Sequence, residues 1–304
     1  MKKKILITGA AGFFGRHLCK YISGLDSSVE LIGADIVENY IESCRSFYSI
    51  DLTSDGDVSR LINQTKPECI LHLAGLFSAD SDFQIYRSNV LSIAAVLEAT
   101  RKHKPDAVVI IIGSAAEYGL IEPGRLPIDE TTPCNPVTAY GLSKQLATDI
   151  AMYYHRMHGL CTMVARPFQL IGKGVTACLA PGAFAEQLKR CISERCKVIK
   201  VGNLESSRDF LDVRDAAEAV WLLSQKPAPG QVFNLCSGKP VKIRDLLNLM
   251  VEISGAQVNV ESDAGRLRGK FDVPHIYGSY QKAFQHCGWR PRTPLLDSIR
   301  EMLQ

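Results

Sequence analysis

A tyrosine and a lysine stand four residues apart in Tyr140-Gly141-Leu142-Ser143-Lys144. On a helix that spacing puts both on one face, with Cβ atoms about 5–6 Å apart. An ammonium beside a phenol favours the phenolate and lowers its pKa toward neutral. Such a phenol can protonate a carbonyl oxygen or take the proton of an alcohol. A hydroxyl, Ser114, follows the apolar stretch 107–112 and stands ready to hydrogen-bond the same oxygen. A bare Tyr-x-x-x-Lys is also common on the wet face of a helix that does no chemistry. Its weight here comes from what surrounds it.

The first surrounding feature is Thr8-Gly9-Ala10-Ala11-Gly12-Phe13-Phe14-Gly15, a G-x-x-G-x-x-G run between a short apolar stretch and a helical pattern. Gly9 allows a tight turn, Gly12 lets the backbone approach a pyrophosphate, and Gly15 lets helix and strand pack closely. The helix start then offers unpaired N–H groups and a positive dipole end to phosphates. Ala11, Phe13 and Phe14 complete that candidate site. Asp35 ends the next apolar stretch, twenty residues beyond Gly15. An acid there accepts hydrogen bonds from an adenosine ribose and repels a 2′-phosphate, which favours NAD(H) and leaves NADP(H) as the secondary choice. A solvated turn aspartate is the competing reading. Asp51 and Leu52 follow a third short strand and are candidates for the adenine, although Asp51 before Thr53-Ser54 also suits a helix start. Lys144 would hold the nicotinamide ribose while it tunes Tyr140.

These groups need a scaffold, and the pattern supplies one. Apolar runs at 4–8, 29–34, 69–73 and 107–112 alternate with helical spacing at 13–23, 86–102 and 139–158. Continuous apolar strands alternating with helices mean a parallel sheet covered on both faces. The predicted fold class is α/β: a Rossmann-type doubly wound sheet with a smaller C-terminal substrate-binding lobe. The ends of strands in such a sheet are where ligands sit, which places Ser114. The texture changes near Pro167, giving expected units of 1–167 and 168–304, with a chain that can cross back between them. Helices are expected at 181–194, 213–224, 243–254 and 295–303.

Composition narrows the classes further. The chain has 304 residues, is 46% hydrophobic and 22% charged, and carries a net charge of +3. That balance excludes disorder and gives no reason to expect nucleic acid or a membrane surface as partner. No apolar run reaches the ~18 residues of a spanning helix. Met1-Lys2-Lys3-Lys4 leads directly into a strand without a signal-peptide core. The ten cysteines include no C-x-x-C pair, so they read as reduced thiols and point to the cytoplasm. His155 and His158 have no third ligand nearby, and no metal site is expected.

The chain resembles the extended short-chain dehydrogenase/reductase family, whose members act on nucleotide sugars. The resemblance covers nearly the whole length. It rests on the glycine turn, His72-Leu73-Ala74-Gly75, Asn89-Val90, Ser114 through Tyr118-Gly119, Asn135-Pro136, the Tyr140/Lys144 pair and Arg166-Pro167. It implies that Leu73, Ala74, Gly75, Asn89 and Arg166 line the cofactor. In the second lobe, Val201-Gly202-Asn203-Leu204-Glu205, Arg208 through Asp215, Asn234 through Gly238, Arg266-Leu267-Arg268 and Asp272-Val273-Pro274 resemble the GDP-4-keto-6-deoxy-D-mannose reductases of that family. This implies a nucleotide-diphosphate sugar bound by Ser114, Ala115, Glu117, Tyr140, Gln169, Val201, Arg208 and Arg268. Arginine forks suit phosphate oxygens. It also implies a homodimer, for which the 139–158 helix, with Leu142, Ile150, Tyr153 and Tyr154, offers a face.

Some positions depart from the family pattern. Gln169 replaces an asparagine, Lys173 a proline, Ser92 and Ile93 a glycine and threonine, and Gly75 an alanine. These bear on which sugar is bound more than on the chemistry. Sugar 4,6-dehydratases of the family carry acids directly after the serine or threonine. Here Ala115 and Ala116 occupy those places and can neither donate nor accept a proton. Glu117, one step further, faces elsewhere if the chain is extended. Dehydration is disfavoured. What remains is reduction of a 4-keto-6-deoxyhexose, with nucleotide-sugar 4-epimerisation as the alternative and a redox-sensing dinucleotide-binding protein as the rival from another class.

Overall fold

The apolar runs fold into strands whose two faces are both covered, as a parallel sheet requires. The computed structural model describes residues 2–38, 41–194, 197–266 and 273–304. The first lobe runs β1 (Lys3–Thr8), α1 (Phe13–Leu25), β2 (Val29–Asp35), β3 (Ser46–Ser49), α2 (Asp55–Thr65), β4 (Cys69–His72), α3 (Asp82–Tyr86), α4 (Ser92–His103), β5 (Val108–Ile112), α5 (Ala139–His158) and β6 (Cys161–Pro167). The chain then enters the second lobe through β7 (Gln169–Ile171), α6 (Ala180–Glu194), β8 (Val198–Val201) and β9 (Ser207–Asp212). It returns to the first lobe with α7 (Val213–Gln225) and β10 (Val232–Leu235). β11 (Pro240–Lys242), α8 (Ile243–Ser254), β12 (Asn259–Ser262), β13 (His275–Ile276), α9 (Gln281–Cys287) and α10 (Leu295–Leu303) follow.

The main sheet has seven parallel strands in the order β10-β6-β5-β4-β1-β2-β3. The chain runs outward in one direction from β1 to β3 and in the other from β1 to β6. The carboxyl end of β1 is therefore the point where strand order reverses, the ligand crevice of doubly wound sheets. Thr8 lies opposite Ala34 on one side and His72 on the other, so the glycine turn opens between Asp35 and Leu73. β10, from beyond residue 167, pairs in parallel with β6 as the seventh strand. No single cut at 167 therefore separates the two lobes.

Successive residues of a strand face opposite sides, and the core follows that rule. Ile5 and Ile7 pack with Leu18, Ile22 and Val220 from α1 and α7. Leu6 packs with Ile62, Val96 and Ala151 from α2, α4 and α5. A third cluster, with Phe184, Leu188, Leu246 and Met250, gives the second lobe its own core. There β9 pairs with β7, β11 and β13. Together these strands carry the second lobe over the carboxyl edge of the main sheet.

The helix expected over 86–102 is broken. α3 passes into a π-helical turn at Arg87–Leu91 before α4 begins. Single π-turns of this kind are rare and recur at functional sites. Asn89 lies within this one and is buried. No described helix is long and apolar enough to cross a membrane. The described cysteines are all free thiols.

Candidate active site

α5 starts where it does because Thr138 caps it, its hydroxyl accepting the Gly141 N–H at 3.0 Å. That start puts Tyr140 in the first turn, half-buried beside the end of β5, and Lys144 one turn deeper and almost fully buried. The Lys144 Nζ donates to the Ile112 carbonyl at 2.9 Å and lies 5.9 Å from the Tyr140 ring centroid. Ser114, two residues after β5, faces the same phenol. Burial pushes the Tyr140 phenol up to about 12, the Ser114 hydroxyl pulls against it, and the Glu117 charge adds to the rise. The lowering by Lys144 expected from sequence is not what governs the phenol. The ammonium points to a backbone carbonyl, and its own burial lowers its pKa to about 8. At neutral pH Tyr140 holds its proton and Lys144 is charged.

The turn after Ser114 is not extended. Residues Ala115–Glu117 form a 3-10 turn closed by a capping box: Ser114 Oγ accepts the Ala116 N–H, and Glu117 Oε1 accepts the Ser114 N–H at 2.7 Å. This corrects three expected contacts. The Ala115 methyl is buried against Tyr118, Ile128 and Phe168. The Glu117 carboxylate is fully buried. Its Oε2 takes hydrogen bonds from Thr148 Oγ1 and Arg166 Nε, both at 2.8 Å. Arg166, expected at the cofactor, points its guanidinium at Glu117 and the Tyr118 hydroxyl instead. Ala116, not Ala115, keeps partial exposure.

The glycine turn carries the features a pyrophosphate needs. Gly9 sits at φ +68, and a Cβ there would lie 2.7 Å from the Ala74 nitrogen. A methyl on Gly15 would overlap the Gly9 carbonyl oxygen. α1 begins after Gly12, which has no side chain to cap the first amides. Asp35 accepts the Ala11 N–H at 3.0 Å and the Ile36 N–H at 2.8 Å, which ties the turn to the end of β2. Phe13 and Phe14 are half-buried. The Phe13 ring stacks edge-on with His17, whose Nε2 is 2.9 Å from the Lys173 carbonyl of the second lobe. A dinucleotide fits this cradle: close backbone, an open helix start and a carboxylate at the ribose position. Gly15→Ala is expected to lower stability by about 1–3 kcal/mol through overpacking and to weaken NADH binding at least tenfold. Thermal unfolding and a fluorescence titration with NADH measure the two effects.

The other expected cofactor residues divide. Leu73, Ala74 and Gly75 follow β4 at the crevice and stay partly accessible. Asn89 does not line it. Its amide bonds the Leu76 N–H at 2.6 Å, the Leu76 carbonyl at 3.0 Å and Ser143 Oγ at 2.8 Å, making it a strut beside Lys144. Asp51 Oδ1 binds the Thr53 N–H and hydroxyl and so shapes the approach to α2, the helix-start role. The Leu52 side chain is buried in the core. In the second lobe, Gln169 opens β7 directly after Phe168 and is half-buried. Arg208 lies on β9 and donates to the Ser207 carbonyl at 2.8 Å. Val201 is buried in the second-lobe core, and its carbonyl accepts the Asp263 N–H at 2.8 Å. Arg268 lies outside the described residues, and Arg266 pairs with Asp263 at 3.3 Å. Phe77, which no motif marks, lies against Tyr140.

Comparison with known proteins gives relatives that match over nearly the whole chain. The chain is 27% identical over 308 residues to the GDP-6-deoxy-D-mannose reductase of Pseudomonas aeruginosa, covering 100% of this chain and 97% of that one. It is 27% identical over 308 residues to a putative UDP-glucose 4-epimerase of Methanocaldococcus jannaschii, covering 98% and 97%. The structure of RMD from Pseudomonas aeruginosa complexed with NADPH superimposes with a TM-score of 0.87 at 26% identity, covering 100% of this chain and 97% of that one. The sequence profile of the NAD dependent epimerase/dehydratase family matches residues 5–236, more than half of the chain. On that match, and with the dinucleotide cradle and the Tyr140/Lys144 pair in place, the protein belongs to the NAD dependent epimerase/dehydratase family.

Proposed function

We propose that the protein reduces the C4 ketone of a nucleotide-linked 4-keto-6-deoxyhexose, with GDP-4-keto-6-deoxy-D-mannose giving GDP-D-rhamnose as the preferred case. The observation that carries the reading is the convergence of Ser114, Tyr140 and Lys144 at the carboxyl end of β5, with no free acid behind Ser114. Ala115 and Ala116 hold no proton, and the Glu117 carboxylate is occupied by Ser114, Thr148 and Arg166. Elimination of water needs a base at that place, whereas reduction does not. The Pseudomonas relative's name supports the GDP-linked 6-deoxy sugar.

The bound dinucleotide supplies the hydride. The rest falls to this chain's own side chains. Gly9, Gly12 and the start of α1 bind the pyrophosphate, and Asp35 accepts the adenosine ribose hydroxyls. Lys144, charged at neutral pH, holds the other ribose. Ser114 Oγ hydrogen-bonds the substrate carbonyl, and Tyr140 Oη delivers its proton to that oxygen as the carbon is reduced. Arg208 and Arg268 are the guanidinium donors for the diphosphate, with Gln169 beside the sugar. The Asp35 carboxylate favours NADH. The NADPH held by the solved relative makes NADPH the necessary control.

The test is incubation with GDP-4-keto-6-deoxy-D-mannose and NADH or NADPH, following nicotinamide absorbance and the C4 configuration of the product. Oxidation of the reductant with a rhamno product is expected. The absence of oxidation with either dinucleotide removes the reductase reading. A 4-epimerase is the second reading, favoured by the Methanocaldococcus relative. Turnover of UDP-glucose without added reductant would replace the first reading with it. The exposed stripe Leu142, Leu146, Tyr153 and Met157 on α5 supports a homodimer through that helix, whereas Ile150 and Tyr154, expected on its face, pack against the core. The cytoplasm is the compartment we expect.

A further inference from the structure

An aromatic ring outside every motif lies against the reacting phenol. The ring centroids of Phe77 and Tyr140 are 4.9 Å apart, with the planes at 58°. Phe77 belongs to the segment between β4 and α3, at the carboxyl edge of the sheet where ligands of this architecture bind. It is 36% exposed, and its neighbour Leu76 is 43% exposed. The segment is nevertheless held, because Asn89 bonds both the N–H and the carbonyl of Leu76. Phe77 is therefore a partly exposed apolar side chain that touches Tyr140 and follows a backbone residue held by Asn89.

We propose that Phe77 is a specificity-determining residue: its ring forms the apolar wall against the carbon substituent next to the reacting carbonyl and selects a methyl over a hydroxymethyl there. The inference rests on the keto-sugar reading above. A proton donor works within about 2.6–3.2 Å of the oxygen it serves. That requirement brings the sugar's C4 oxygen to Tyr140 Oη, and the C5 substituent is only two bonds from C4. A ring packed on the flank of Tyr140 is within reach of that substituent. A methyl placed there is removed from water at no polar cost. A hydroxyl placed there gives up water and meets a ring face that offers it no strong partner. Apolar walls reject an added hydroxyl only moderately, by on the order of 100-fold at most.

The test compares binding, which does not require turnover. The protein saturated with NAD is titrated calorimetrically with GDP-6-deoxy-D-mannose and GDP-D-mannose, and with UDP-6-deoxy-D-glucose and UDP-D-glucose. Each pair differs by one oxygen at C6. The wild type is expected to bind the 6-deoxy member of the pair it recognises roughly 10- to 100-fold more tightly. Phe77→Ser should bring that ratio close to one, while Phe77→Leu should keep most of it. Both variants should melt with the wild type, since the ring is part of no core cluster. Equal binding of both members by the wild type, or an unchanged ratio in Phe77→Ser, overturns the inference and leaves the keto-sugar reading standing. Binding of neither pair removes both.

Discussion

The Tyr140→Phe protein is expected to bind NADH with wild-type affinity and to lose on the order of 10²–10⁴-fold in kcat toward the keto sugar. The substitution deletes one oxygen and keeps the ring that packs on Phe77 at 4.9 Å, so the crevice keeps its shape. What is lost is the proton. In the wild type, burial pushes the phenol up to about 12, so at neutral pH nearly every molecule carries the acid form that ketone reduction consumes. The sign follows for pH. A donor acts only while protonated, so the reductive rate persists below its pKa and declines as pH rises toward it. Stopped-flow reduction under saturating NADH, with a parallel NADH titration, separates the two effects. A kcat within threefold of wild type would show that another group delivers the proton.

Much of this site was legible because its parts are local. The glycine turn is seven residues between a strand and a helix, and each glycine has its own steric reason. α5 was expected at 139–158 and is found there, because Thr138 and Gly159 bound a continuous helical pattern. The main-sheet strands β1, β4 and β5 are apolar runs buried over most of their length, the plainest strand signal available. The second sheet was illegible for the opposite reason. β9 reads Ser-Arg-Asp-Phe-Leu-Asp, and its pairing with β7, β11 and β13 is a product of tertiary placement. The π-turn at Arg87–Leu91 left no mark in the spacing, so Asn89 was expected at the cofactor and is a strut instead. Glu117 was misplaced although a signal existed. Ser114-Ala115-Ala116-Glu117 is a capping-box pattern, Ser-x-x-Glu, and that pattern predicts a turn with the carboxylate folded back onto the serine backbone. Phe77 had no signal, since an aromatic in a loop acquires meaning only from what it touches.

Arg166→Leu is expected to cost about 3–5 kcal/mol of stability at neutral pH, because it leaves a buried carboxylate without its counter-charge. Burial pushes the Glu117 carboxyl up, and Arg166 is the chief influence bringing it back down. Burial alone would also lower the Arg166 guanidinium, and the Glu117 charge reverses that. Without Arg166 the carboxyl must rise further above its unfolded value. A group whose folded pKa is raised destabilises the protein where it must be charged and not where it is protonated. The deficit of Arg166→Leu should therefore shrink as pH falls, which distinguishes a charge effect from a cavity. The double variant Glu117→Gln/Arg166→Leu should recover more than half of the loss. Gln keeps an acceptor for the Ser114 N–H and turns an amide N–H toward Thr148 Oγ1, which can accept it, while removing the uncompensated charge. Urea unfolding at several pH values measures all three. A pH-independent deficit, or a double variant no better than the single, would mean that the pair acts by packing alone. The consequence for chemistry follows from the same contact. Glu117 Oε1 holds the Ser114 N–H at 2.7 Å, so a carboxylate that shifts to find a new partner takes the Ser114 backbone with it. Arg166→Leu should then lower kcat with little change in NADH affinity, because the glycine turn and Asp35 lie on other strands.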